Sequence, residues 1–117
     1  MDYEKICTEV LNSDPKIRFT GILNSRGDLV TQKDRDGDES LLTDDEVKMS
    51  IHYTFERWNR VQNLEHRLGK EKDSITEYEN VTLISLLVEK NLLLLSTDPE
   101  ADYTKIISKT REIISKQ

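Results

Sequence analysis

Asp34, Asp36, Asp38 and Glu39 crowd carboxylates around Gly37, a composition that hard cations such as calcium favour. A calcium loop of the helix–loop–helix type also needs glycine at its sharp turn and a bidentate acid at its last position. With Gly37 at the turn, Gln32 falls on the first ligand position and Thr43 on the last. With Asp34 first, Glu39 occupies the glycine position. No register meets both demands, so the expectation is a solvated acidic loop over 34–42 and no metal site. His52 and His66 lie fourteen apart on one predicted helix and project in different directions, which leaves no pair at ligand spacing. Cys7 is the only cysteine. It can form no internal disulfide, and as a nucleophile it lacks a neighbouring base, so it reads as a small core residue. Arg26-Gly27-Asp28 matches an adhesion tripeptide but falls where a hairpin turn needs its glycine. No G-x-S-x-G, phosphate-binding glycine loop or dinucleotide fingerprint occurs. The residues point to no catalytic site, no cofactor and no enzyme.

The elements that could position any such group come from a lean, charged chain. Of 117 residues, 35% are apolar and 34% charged, against a usual charged share of about 25%. That length suits one domain, expected over residues 1–117. Lys and Arg number 17 and Asp and Glu 23, interleaved along the chain, giving −6. A nucleic-acid reader would show a basic stripe, so no nucleic acid is expected. The start MDYEKICTEV has neither a basic nor an apolar signal region, and the longest apolar run, Leu92 to Leu95, is far below the ~20 residues of a membrane helix. A cytoplasmic protein with no membrane span is expected. No internal repeat or low-complexity segment is present.

Tyr3, Ile6, Cys7, Val10 and Leu11 follow helical spacing over 2–12, and Pro15 ends the helix by pushing Asp14 to extended backbone. Residues 16–23 read as a strand with Ile17, Phe19 and Leu23 on one side and Arg18 and Thr20 on the other. Gly21 within it marks a close approach or a bulge. Asn24-Ser25-Arg26-Gly27 turns the chain into a second strand at 28–33. Thr43-Asp44-Asp45-Glu46 is a capping box that opens a long helix, expected to reach Leu68 and stop at Gly69. Its main apolar stripe is Val47, Ile51, Phe55, Trp58 and Val61. Residues 74–79 alternate as an edge strand would, and 81–88 are more apolar. The chain turns at 89–91, where Asn91 suits a left-handed conformation. Residues 92–97 are apolar on both faces and should be a central strand. Asp98-Pro99 then opens the final helix, with Asp98 as its acidic cap and Pro99 at its first position.

The result is an α+β chain of order α-β-β-α-β-β-β-α, with a five-stranded antiparallel sheet covered by helices on both faces. On the long helix a second strip lies roughly opposite Phe55: Met49, Tyr53, Arg57, Arg60 and Leu64. These types are enriched at interfaces. The edge strand adds Ile75 and Tyr78, only half protected by Glu77 and Glu79.

DPKIRFTGILNSRGDLV at the first hairpin, the helix capped at Thr43, and SITEYENVTLISLLVEKNLLLLSTDPEADYTKIISK together resemble the roadblock / dynein light chain family of the profilin-like group. The resemblance covers nearly the whole chain, as in a diverged prokaryotic or archaeal member. The chain departs from that family in its acidic 34–42 loop and in the bulk of Tyr53, Phe55 and Trp58. The resemblance implies a non-enzymatic interaction module, a homodimer formed by the central helix and the 74–79 edge. It also implies docking to a small GTPase or another roadblock-like subunit. The partner-facing residues are then Met49, Tyr53, Arg57, Arg60, Leu64, Ile75 and Tyr78. A small-molecule sensor of the profilin-like group is the alternative, and it would need a cavity that large residues at Phe19, Phe55 and Trp58 argue against.

Overall fold

The computed structural model describes residues 1–35 and 41–117. Its order is α1 (Tyr3–Ser13), β1 (Ile17–Leu23), β2 (Leu29–Asp34), α2 (Asp44–Val61), a 3-10 turn (Gln62–Leu64), α3 (Glu65–Leu68), β3 (Asp73–Glu77), β4 (Thr82–Val88), β5 (Asn91–Thr97) and α4 (Tyr103–Ser115). The strands form one antiparallel sheet in the order β2-β1-β5-β4-β3. The expected architecture is present, with β5 at the centre and β3 at an edge.

The run Leu92–Leu95 is buried throughout because its side chains feed two cores. Leu93 and Leu95 join Ile22, Ile84, Leu86 and Val88 under α1 and α4, which contribute Ile6, Val10, Leu11 and Ile106. Leu92 and Leu94 join Leu23 and Trp58 beneath α2. Cys7 is fully buried in the first core, and burial pushes its thiol pKa up.

Five local expectations need correction. Ile17 and Phe19 lie on opposite faces: Ile17 packs under α1, Phe19 under α2. A bulge causes this, because Ile17 pairs with Thr97 and Phe19 with the adjacent Ser96, leaving Arg18 as the extra residue. The long helix does not run unbroken to Leu68. After Val61 come Gln62 and Asn63, which extend no buried stripe, and the backbone tightens into the 3-10 turn before α3. Gly69 does end it, with φ +78. In the β4–β5 hairpin Val88 pairs with Asn91, so the turn is Glu89-Lys90 and the positive φ of 55° belongs to Glu89. The final helix is capped by Asp102, which accepts from the Lys105 amide at 3.2 Å. Asp98 is committed elsewhere: its amide donates to the Lys16 carbonyl at 2.9 Å and its carboxylate accepts from Arg18 Nε at 2.5 Å. The edge strand ends at Glu77, and the Tyr78 amide donates to the Val81 carbonyl at 2.8 Å in the turn that follows.

Candidate interaction surface

The local chemistry of α2 decides which of its sides is free. Thr43 Oγ1 accepts from the Glu46 amide at 3.2 Å, and Glu46 Oε1 accepts from the Thr43 amide at 3.0 Å. These bonds satisfy amide groups at the helix start and hold the Glu46 carboxyl below its usual pKa. Ile51, Phe55, Trp58 and Val61 then turn toward Phe19, Leu23, Leu29, Leu87, Leu92 and Leu94 of the sheet. Gly27, at φ +86 in the first hairpin turn, lies against the Phe55 ring, where an added Cβ would sit 3.2 Å from ring carbons. Asn24 Oδ1 accepts from the Arg26 and Asp28 amides and locks that turn. The tripeptide at 26–28 is thus part of the seat of α2.

With that side committed, Met49, Tyr53 and Leu64 are left exposed, Tyr53 by 63%. Arg57 lies beside them and grips Glu71 with two hydrogen bonds, which favours its charged form. Glu56 sits between His52 and Arg60, at 3.5 and 3.6 Å. Tyr53, Glu56, Arg57, Arg60 and Val61 line a shallow depression of about 300 Å³. Glu71 leads directly into β3, whose outer edge has no strand beside it among the described residues. Within β3, Ile75 is 38% exposed, and Tyr78 beyond it is more so.

No described helix is long and apolar enough to cross a membrane. Among the described residues no group of three or more His, Cys, Asp or Glu could hold a metal. Most of the acidic stretch weighed for calcium, at 36–39, lies outside the described residues. His52 and His66 are both exposed.

A model described as a family of unknown function, DUF6659, matches residues 1–117. The chain belongs to that family. No curated protein matches it in sequence. Solved structures match it in shape. A roadblock/LC7 domain from Streptomyces avermitilis has a TM-score of 0.75 at 12% identity, over 99% of this chain and 94% of that one. The gliding protein MglB from Thermus thermophilus gives 0.76 at 15%, over 94% and 81%. A structure of MglB with a tetrameric arrangement gives 0.76 at 16%, over 94% and 80%. At these identities the likeness is one of fold, and the DUF6659 chain has a diverged roadblock-type fold.

The structure gathers the sequence-derived strip only in part. Met49, Tyr53, Arg57, Arg60 and Leu64 lie along one flank of α2 and its 3-10 extension, and all are exposed. Ile75 pairs with Ile84, whose side chain belongs to the core under α1 and α4. Cross-strand partners share a face, so Ile75 lies on the side of the sheet away from α2. Ser74 and Thr76 are the β3 residues on the α2 side. Sequence reasoning missed Glu71, because nothing local signals an acid fourteen positions from its arginine. It also missed Leu68, 77% exposed; an apolar residue just before the stop glycine, with no buried stripe to join, was the available signal.

Proposed function

We propose that this chain is a non-enzymatic protein–protein interaction module in which residues 1–117 act as one roadblock-like domain. Two copies pair through the outer flank of α2 and the free edge of β3. The pair docks a further protein in the cytoplasm, a small GTPase or another roadblock-like subunit. The observation that carries this reading is the open edge of β3, tied by Glu71 and Arg57 to a helix flank exposing Met49, Tyr53 and Leu64. An open edge and exposed apolar side chains are both hazards that a second copy would cover at once. The tetrameric arrangement of one MglB neighbour supports self-assembly on this fold. The choice of GTPase or roadblock-like subunit rests on the family resemblance. A sensor would need an interior cavity, and β5 is instead packed on both faces, by Leu93 and Leu95 on one and Leu92 and Leu94 on the other.

Light scattering tests the pairing. Wild type is expected at twice the chain mass and Tyr53→Glu at one chain mass, because a buried unpaired carboxylate costs several kcal/mol. Arg57 or Arg60 of the second copy could recover some of that cost, so Tyr53→Ala is the cleaner companion. Wild type at one chain mass at high concentration overturns the homodimer.

A further inference from the structure

Ile75 lies on the face of the sheet that α1 and α4 cover, away from α2. There α1 packs on β1 and β2, and α4 on β4. Five strands at about 4.8 Å spacing need roughly 24 Å of cover, and two helices of about 10 Å supply roughly 20 Å. The strand left over is β3. Asp73, Ile75 and Glu77 pair with Leu86, Ile84 and Thr82 and share their face. The three β4 residues are buried, whereas Ile75 and Glu77 are exposed. The wall of the resulting groove is one flank of α4. Arg111 pairs with Asp73, so the flank that carries Arg111 faces β3. Ile107 and Ile114, four before Arg111 and three after it, share that flank and are only half-buried. At one end the groove deepens into a notch of about 180 Å³ lined by Lys72, Leu86, Leu87, Arg111, Ile114 and Ser115.

The groove is polarised along its length. Lys72 and Arg111 stand at the notch, and Glu77 lies four residues beyond Asp73, roughly 14 Å along the strand. Neither Lys72 nor Glu77 has an ion pair among the described residues. Arg111 gives one hydrogen bond to Asp73 and keeps its other donors. We infer that this groove takes an amphipathic helix of a partner protein, laid on β3 beside α4 with an acidic end over Lys72 and Arg111 and a basic end over Glu77. A helix satisfies its own backbone and can lie on a sheet face, whereas an extended peptide laid there would leave its amide and carbonyl groups unpaired. One apolar residue of the helix enters the notch, and others at i+3 or i+4 and i+7 cover Ile75 and the Ile107 side of α4. The acid and the base of such a helix stand about nine residues apart, the number that spans roughly 14 Å. The groove is built within one chain and does not depend on the homodimer proposed above.

Fluorescence anisotropy with a labelled alanine-based peptide tests the groove. The peptide has about 18 residues, long enough to hold helix alone, with leucines on one face, glutamates at one end and lysines at the other. It is expected to saturate on wild type, and a companion with lysines at both ends should bind about tenfold more weakly, because in either direction a lysine meets Lys72 and Arg111. Lys72→Glu should reverse that preference, weakening the first peptide and tightening the second. Ile75→Glu should weaken both about tenfold by placing a charge under the apolar face. Lys72→Glu alters only an exposed side chain, so it decides the matter even if Ile75→Glu fails to fold. Tyr53→Glu, on the other side of the sheet, should bind the first peptide as wild type does even where it scatters at one chain mass, which separates the groove from the homodimer. No saturation on wild type, binding that Lys72→Glu leaves unchanged, or binding lost in Tyr53→Glu overturns the groove.

Discussion

Arg57 holds Glu71 through both arms of its guanidinium, Nη1 to Oε1 at 2.7 Å and Nη2 to Oε2 at 3.0 Å. The pair fastens the outer flank of α2 to the segment that leads into β3, so the helix and the sheet edge are held in one relative position. Both side chains are partly exposed, and such pairs contribute little to folding stability. Their worth lies in presenting a preorganised surface. Glu71→Gln is therefore expected to change unfolding free energy by less than about 1 kcal/mol. It should weaken self-association by roughly tenfold, because the flank and edge no longer share one geometry. Urea melts and analytical ultracentrifugation on the same preparation check both halves. A large stability loss with unchanged association would reverse the assignment.

Arg35 is the hidden fastener of the first half of the chain. Its Nη2 donates to the carbonyls of Leu11 at 2.6 Å and Asp14 at 2.9 Å, and its Nε to that of Ile17 at 2.7 Å. These carbonyls belong to the end of α1 and the start of β1, where Pro15 leaves the helix without a continuing turn. Arg35→Ala strips a charged donor from all three and is expected to cost about 2–3 kcal/mol, read as a lowered urea midpoint. Arg35→Lys should recover only part, because an ammonium cannot reproduce the planar fork.

How far the sequence can be read follows from the range of each interaction. The double-sided run Leu92–Leu95 shows in its own composition that β5 is covered twice, and the Thr43–Glu46 box announces the start of α2. Both are signals contained within a few residues. Arg18 is different. Its role as the extra residue of a bulge depends on pairing with Ser96 and Thr97, and that pairing sends Ile17 and Phe19 to opposite cores. Asp98 and Asp102 are equally good caps by residue type; only the distant Lys16 and Arg18 remove Asp98 from the competition. In the candidate interface, the exposure of Met49, Tyr53 and Leu64 follows from helical periodicity. The face of Ile75 follows from its register with Ile84, which local alternation does not define.

Glu46 links stability to pH through the cap of α2. Its carboxyl pKa is lowered in the folded chain by the hydrogen bonds with Thr43. A group with a depressed folded pKa stabilises fully above its unfolded value, and that contribution fades as pH falls through the folded value. The cap therefore helps at neutral pH and is lost on acidification below the ordinary glutamate range. Glu46→Ala should lower the melting temperature at neutral pH and narrow its gap to wild type as pH falls from about 6 to about 3. Parallel melts across that range decide it, and a gap that widens in acid would contradict the assignment.

Thr110 carries the last prediction. Its side chain is fully buried in α4, and Oγ1 has no hydrogen-bond partner among the described residues. The other buried hydroxyls for which partners are found show the contrast: Thr20 donates to the Cys7 carbonyl at 2.9 Å and Thr97 to the Asp98 carbonyl at 3.0 Å. A desolvated hydroxyl without a partner costs roughly 1–3 kcal/mol. Thr110→Val keeps the β-branched shape and replaces the hydroxyl by a methyl, at a helix propensity close to that of threonine. The core on that side, with Ile6, Val10 and Ile106, is apolar and suits the methyl. Thr110→Val is expected to stabilise the fold by about 1 kcal/mol, seen as a higher urea midpoint at unchanged slope. Thr20→Val is the matched control: it removes a satisfied donor and should destabilise by a similar amount. If both substitutions destabilise alike, Thr110 has a partner in solution and its hydroxyl is part of the design of α4.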